Sequence, residues 1–341
     1  MRQAVMVSPG TIEFREVPVP AVREDQVLVK ICRIGVCGSD IHVYHGKHPY
    51  TSYPVVQGHE VAGEVMDKGA RVKGISVGDR VTIQPQVVCG TCFPCTHGQY
   101  HICDNLKVMG FQTTGTASEF FVVEAAKVLK LPRGMSFDFG AMVEPLAVGV
   151  HALGRGGPVK GRKVLVLGAG PIGNLAAQAA RGLGAAVVAI TDISDFRLGI
   201  AARSGIENRL NAATADVGEF VTRVFGPDKA DLILECVGAN PTVGQAVAHA
   251  RKGTDIIIVG VFGEKATVDM GLVQDRELRL IGTLMYQEKD FRTAIELMEK
   301  DAVSLAPLIT SHFAFSDYLK AYQHIEAHRD TSMKVMIDIQ E

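Results

Sequence analysis

The stretch Cys89-Gly-Thr-Cys92-Phe-Pro-Cys95-Thr-His-Gly-Gln-Tyr-His-Ile-Cys103 constrains this chain more than any other. Two Cys-x-x-Cys steps and a fourth thiol eight positions on can wrap one ion tetrahedrally, because Gly90, Pro94 and Gly98 allow the tight turns this requires. Cys89, Cys92, Cys95 and Cys103 are therefore expected to hold a structural zinc. Paired disulfides are the competing reading, but nothing marks the chain as secreted, and reducing compartments favour metal thiolates. His97 and His101 lie inside the lobe and are read as bystanders.

The 341 residues suggest two domains, and 47% hydrophobic residues suffice for two cores. A formal charge of −2 with 21% charged residues leaves no basic run or acidic tail, which argues against nucleic acid as a partner. The N-terminus lacks an apolar signal region, and no uninterrupted apolar stretch reaches membrane-spanning length, so no membrane association and a cytoplasmic location are expected.

The first part of the chain reads as short strands between turns, such as Val27–Ile34, where alternate side chains are apolar. Near residue 150 the pattern changes. Lys163–Leu167 and Ala186–Ile190 are apolar runs of strand length, separated by an alanine-rich helical segment. Similar runs follow at Asp231–Leu234, Asp255–Val259 and Leu278–Ile281. This alternation predicts an α/β domain with a doubly wound parallel sheet.

Gly168-Ala-Gly170-Pro171-Ile172-Gly173 follows the first of these strands and opens the helix. The first glycine makes the turn, the second lets a pyrophosphate approach the backbone, and the third permits close helix packing. The phosphates would then face a helix N-terminus. Asp192 ends the next strand 19 residues after Gly173, where a carboxylate can bind an adenosine ribose and favour NAD over NADP. Arg197 is close enough in sequence to reach the same adenosine. Val237 and the run Val259-Gly260-Val261 follow later strand ends, where the nicotinamide half would rest.

A second metal site has four candidates: Cys37, His59, Glu60 and Glu144. A catalytic zinc needs about three protein ligands and one open position. Singly, each has an ordinary alternative as a buried thiol, a core histidine or a helix-start carboxylate.

At these residues the chain resembles the zinc-dependent medium-chain alcohol dehydrogenases, and among them the polyol, sorbitol-type branch. The resemblance is carried by Gly58-His59-Glu60-Val-Ala-Gly63, by the four-cysteine lobe, and by Glu144-Pro145-Leu146-Ala-Val-Gly149 followed by His151. It implies a β-rich, GroES-like catalytic domain over 1–146, a Rossmann domain over 147–283, and a segment 284–341 that completes the catalytic domain. It implies that Cys37 and His59 bind a catalytic zinc, with Glu60 and Glu144 competing for the third direct place. Ser39 would take the substrate's proton toward His42, and Asp40 would orient the zinc ligands. The implied reaction is hydride transfer from a secondary alcohol to NAD, with two zinc ions per subunit in a homodimer or homotetramer. The substrate would be a polyol, cyclitol or sugar acid. At Met285-Tyr286, sorbitol-type enzymes often carry arginine before the tyrosine, so sorbitol itself is not implied. A threonine 3-dehydrogenase-like enzyme and an inactive nucleotide-binding sensor are the alternatives.

Overall fold

The computed structural model describes residues 1–340. It forms two compact units: Met1–Glu144 together with the chain from Ile309 onward, and Pro145–Leu308. The segment expected at 284–341 to join the first unit is thus divided. Its helix Glu288–Glu299 packs within the second unit, burying Phe291, Ala294, Leu297 and Met298.

The first unit is built on a seven-stranded mixed sheet. Its strand order is Ile309–Ala314, Lys334–Asp338, Gln26–Val36, Glu60–Lys68, Arg80–Ile83 and Val128–Lys130, with Phe120–Glu124 also pairing Gln26–Val36. Alternation sets the buried face: Val27, Val29 and Ile31 are fully buried, whereas Lys30 between them is not. The returning strand Lys334–Asp338 runs antiparallel beside Gln26–Val36, with Val335 opposite Val36. That pairing brings the C-terminal part of the chain to the end of the strand that carries Cys37.

The second unit is a six-stranded parallel sheet in the order Asn208–Asn211, Val187–Asp192, Lys163–Leu167, Leu232–Glu235, Asp255–Ile258, Arg279–Gly282. The order reverses between Val187–Asp192 and Leu232–Glu235, on either side of the first strand, which is where such sheets open a ligand crevice. Val164, Leu165, Val166 and Leu167 are each 0% exposed, as a central strand covered on both faces requires. Each contributes about 1.5–3 kcal/mol of apolar burial. No helix among the described residues is long and apolar enough to cross a membrane.

Candidate active site

Cys37 stands where the strand Gln26–Val36 ends and the helix Gly38–Tyr44 begins. It is the helix N-cap residue, and its backbone N–H donates to Asp40 Oδ2 at 2.9 Å, closing the first turn around the carboxylate. His59 and Glu60 arrive on the neighbouring strand, whose first residue is Glu60, paired opposite Gly35. Gly35 leaves room for the Glu60 carboxylate in that register: a Cβ there would stand 2.3 Å from Glu60 Oε2 and would push it aside. The sheet therefore brings the ligand atoms of Cys37, His59 and Glu60 within 4.8 Å of one another.

The donor set suits a zinc ion. One thiol, one imidazole and one carboxylate converge, with His59 4% and Glu60 1% exposed. His59 Nδ1 is 3.6 Å from Asp40 Oδ1 and makes no hydrogen bond, an expensive state for a buried imidazole nitrogen unless the ring is fixed by what it ligates. Burial alone would strip the proton from His59, but the Asp40 carboxylate and Cys37 raise its pKa well above the usual histidine value. The site is thus electrostatically prepared for a cation. Burial raises the pKa of Asp40, against the opposing pull of His59.

Glu144 is buried near the start of the helix Val143–Arg155, and its charge acts on both His59 and Lys334. It lies outside the group formed by Cys37, His59 and Glu60. Ser39 and His42 occupy the helix Gly38–Tyr44 three positions apart, hence on one face; Ser39 is half-buried and His42 exposed. Phe111 packs its ring against His59 at 5.0 Å and stacks on His48 at 4.7 Å.

Three residues of this site escape a reading of the sequence. Lys334, at the start of the last strand, places Nζ 2.6 Å from both carboxylate oxygens of Glu60 and 3.3 Å from the Val36 carbonyl. Burial would lower its pKa, but the facing Glu60 carboxylate raises it and keeps the ammonium charged. Gln57 donates to Asp40, and Tyr322 donates in turn to Gln57. A lysine opening an apolar strand was the one available signal.

The four thiols of the lobe form a second group. All seven cysteines are free, and in the lobe Sγ of Cys103 is 3.5 Å from that of Cys89 and 3.7 Å from that of Cys92. Backbone N–H groups point at the sulfurs: Cys92 N at Cys89 Sγ (3.4 Å), and Cys89 N and Asn105 N at Cys103 Sγ (both 3.3 Å). Such donors stabilise thiolates, the form that binds metal. Donors from Thr91 and Cys92 bring the Cys89 pKa down to about 5, whereas Cys95 is pushed up to about 12, first by burial and then by its neighbouring thiols. Neither His97, stacked on Phe93, nor His101 belongs to the group.

In the second unit, Gly168 adopts φ +101° directly after the strand Lys163–Leu167. A Cβ on Gly173 would lie 1.9 Å from the Gly168 carbonyl oxygen, so the turn and the helix can meet only at glycine. At Gly170, by contrast, a Cβ would meet nothing within 4 Å, and that open space lies at the N-terminus of the helix Pro171–Gly182. Pro171 takes the first helical position, and Ile172 follows it. Asp192 Oδ2 accepts from Ala169 N at 2.7 Å and its Oδ1 from Ser194 N at 2.9 Å; Arg197 Nη1 is 3.8 Å away. Val237 and Val261 are 46% and 87% exposed, with Val259 and Gly260 at the end of the neighbouring strand. Buried Glu235 braces this loop by accepting from Val237 N and Gly238 N, each at 2.9 Å.

The chain matches the alcohol dehydrogenase GroES-like domain over residues 23–133 and the zinc-binding dehydrogenase domain over 171–300. It is 34% identical to a sorbitol dehydrogenase of Halalkalibacterium halodurans, over 96% of each chain. It is 32% identical to an L-threonine 3-dehydrogenase of Pyrococcus horikoshii, over 95% of each. Its fold superposes on galactitol-1-phosphate dehydrogenase from Escherichia coli with a TM-score of 0.92 at 30% identity, covering 99% of this chain and 100% of that one. The chain belongs to the zinc-binding, medium-chain alcohol dehydrogenase family, in the branch that holds the sorbitol dehydrogenases.

Proposed function

We propose that the protein oxidises a secondary alcohol of a polyol, cyclitol or sugar acid to a ketone, with NAD as acceptor. The observation that carries this reading is the buried convergence of Cys37, His59 and Glu60 in a chain whose other unit bears the glycine turn and Asp192. When bound, zinc would supply Lewis-acid polarisation of the alcohol oxygen and NAD the hydride acceptor. Cys37, His59 and Glu60 hold the metal directly in this reading, and Glu144 contacts it through water. Asp40 fixes the Cys37 turn and faces His59, so it orients two ligands at once. Ser39 takes the hydroxyl proton, and His42, exposed on the same helix face, releases it to solvent. Cys89, Cys92, Cys95 and Cys103 hold a second zinc that contributes to folding.

Sorbitol and L-threonine 3-dehydrogenases both stand among the relatives, and the likeness to the galactitol-1-phosphate enzyme supports a polyol over threonine. A homodimer or homotetramer is part of the reading, supported by the unpaired outer edge of strand Arg279–Gly282 beside exposed Leu284. A cytoplasmic location is part of the same proposal. The decisive assay follows NADH at 340 nm across polyols, cyclitols, aldonic acids and threonine. Turnover of none of them by zinc-replete protein would overturn the proposal.

A further inference from the structure

Asp40 is the end of a buried hydrogen-bond chain that begins on the C-terminal helix of the first unit. Tyr322 Oη stands 3.0 Å from Gln57 Oε1, and Gln57 Nε2 stands 3.2 Å from Asp40 Oδ1 and 3.4 Å from the Asp40 carbonyl oxygen. Every member is enclosed: Gln57 is 2%, Asp40 1% and Tyr322 0% exposed. Tyr318 stacks on the ring of Tyr322 from the far side, with centroids 5.6 Å apart.

Donor counting fixes the direction of this chain. A carboxylate only accepts, so the Gln57 NH2 must face Asp40 and its carbonyl must face Tyr322. Tyr322 then spends its single proton on Gln57. The chain runs Tyr322 to Gln57 to Asp40, with one orientation at each step.

The other oxygen of Asp40 is taken by Cys37 N at 2.9 Å. Oδ1 therefore serves two neighbours: the Gln57 amide, and the ring of His59 at 3.6 Å. Both are buried, so neither can be replaced by water at low cost. Whatever sets the plane of the carboxylate sets how it meets His59. Among the described residues, Gln57 and the Cys37 amide are the hydrogen-bond donors to it.

We infer that Gln57 and Tyr322 are positioning residues of the metal site: a buried donor chain that holds Asp40 in the orientation that presents His59 to the ion. The inference rests on the metal reading of Cys37, His59 and Glu60. Neither residue touches the proposed ion or a substrate. Gln57 is adjacent to Gly58-His59 in sequence, whereas Tyr322 comes from a helix 265 residues away.

The test measures zinc affinity by chelator competition, and the visible spectrum of the cobalt(II)-substituted protein, for Gln57→Leu, Tyr322→Phe and the double variant. Loss of such an outer partner typically costs about 10 to 100-fold in metal affinity. Gln57→Leu is expected to loosen the zinc held by Cys37, His59 and Glu60 by about tenfold or more and to shift the cobalt spectrum, while the four-thiolate zinc stays in place. Tyr322→Phe, which keeps the core volume, is expected to give a smaller loss of the same kind. The double variant is expected to be no looser than Gln57→Leu alone, because Tyr322 acts only through Gln57. Wild-type affinity and spectrum in the folded variants, or additive losses, would overturn the inference. A wild-type protein that binds only the four-thiolate zinc would overturn the metal reading itself, and this inference with it.

Discussion

Lys334 and Glu60 form an ion pair with 3% and 1% of their side chains exposed, one ammonium nitrogen standing 2.6 Å from both carboxylate oxygens. The pair does two things in one place. It makes burial of a carboxylate beside Cys37 and His59 tolerable in the metal-free chain, and it fixes the carboxylate at the mouth of the donor set. A carboxylate oxygen has more than one lone pair, so Glu60 can keep Lys334 while it faces a cation.

Removing one partner of such a pair leaves an uncompensated buried charge, which costs about 3–5 kcal/mol. Lys334→Met keeps the aliphatic stem and should lower unfolding stability by about 3 kcal/mol in metal-free protein. A bound cation takes over the neutralisation, so the loss should shrink when zinc is present. Urea denaturation with and without chelator measures both. Equal losses in the two states would show that Glu60 does not face the metal.

The two ends of this pair explain what a sequence discloses and what it withholds. The thiolate lobe and the glycine turn were legible because their chemistry is local: every ligand of the lobe lies between Cys89 and Cys103, and strand, turn, helix and Asp192 follow in order. Lys334 was not legible, since it meets Glu60 across 274 residues and only the pairing of two strands joins them. Glu60 and Glu144 were equal candidates from sequence. Strand register supports the proposal of Glu60 for the third place, since it sets Glu60 opposite Gly35, beside Cys37 and His59. The outer boundary of the second unit was hidden for a similar reason, because Glu288–Glu299 buries its apolar face within that unit and a lone amphipathic pattern does not name its partner.

Gly170 and Gly173 should respond oppositely to alanine. A methyl group at Gly170 meets nothing within 4 Å, so Gly170→Ala should fold with unchanged stability and lose dinucleotide affinity by tenfold or more, because the methyl occupies the space a pyrophosphate needs. Gly173→Ala would press on the Gly168 carbonyl at 1.9 Å and should lower stability by about 1–3 kcal/mol before any ligand is added. Thermal melts and NAD titration separate the two effects. An unaltered NAD affinity in Gly170→Ala would remove the pyrophosphate from that turn.

His59 should titrate above the usual histidine value of about 6.5 in metal-free protein. Burial pushes its pKa down, and Asp40, Cys37 and Glu144 outweigh that by pushing it up. A raised folded pKa gives stability that is full below the unfolded value and lost as pH rises through the folded one. Zinc runs the other way, since it must displace the proton, and the His59 contribution to its affinity should grow about tenfold per pH unit until the ring is neutral. Imidazole NMR of the metal-free protein reads the midpoint directly. A midpoint below 6.5 would contradict the assigned electrostatics.

The cofactor should be NAD rather than NADP, with Asp192 as the cause. Its carboxylate is 8% exposed and held at the strand end by Ala169 N at 2.7 Å and Ser194 N at 2.9 Å, so it cannot swing away from a ribose laid against the turn. A 2′-phosphate there would face a fixed negative charge. At about 4 Å and an effective dielectric near 20, a unit pair costs roughly 4 kcal/mol, an upper figure at a partly solvated rim. Half of that, ~2 kcal/mol, is about a 30-fold preference. Arg197 offsets part of it, but its guanidinium is 3.8 Å from the carboxylate and 38% exposed, so solvent screens it more than it screens Asp192. Asp192→Ser should lose some activity with both cofactors, because two backbone N–H groups lose a charged acceptor. The ratio of kcat/KM for NAD over NADP is insensitive to that shared loss and should fall by about tenfold or more. Wild type that already prefers NADP, or a serine variant with an unchanged ratio, would take the discrimination away from Asp192.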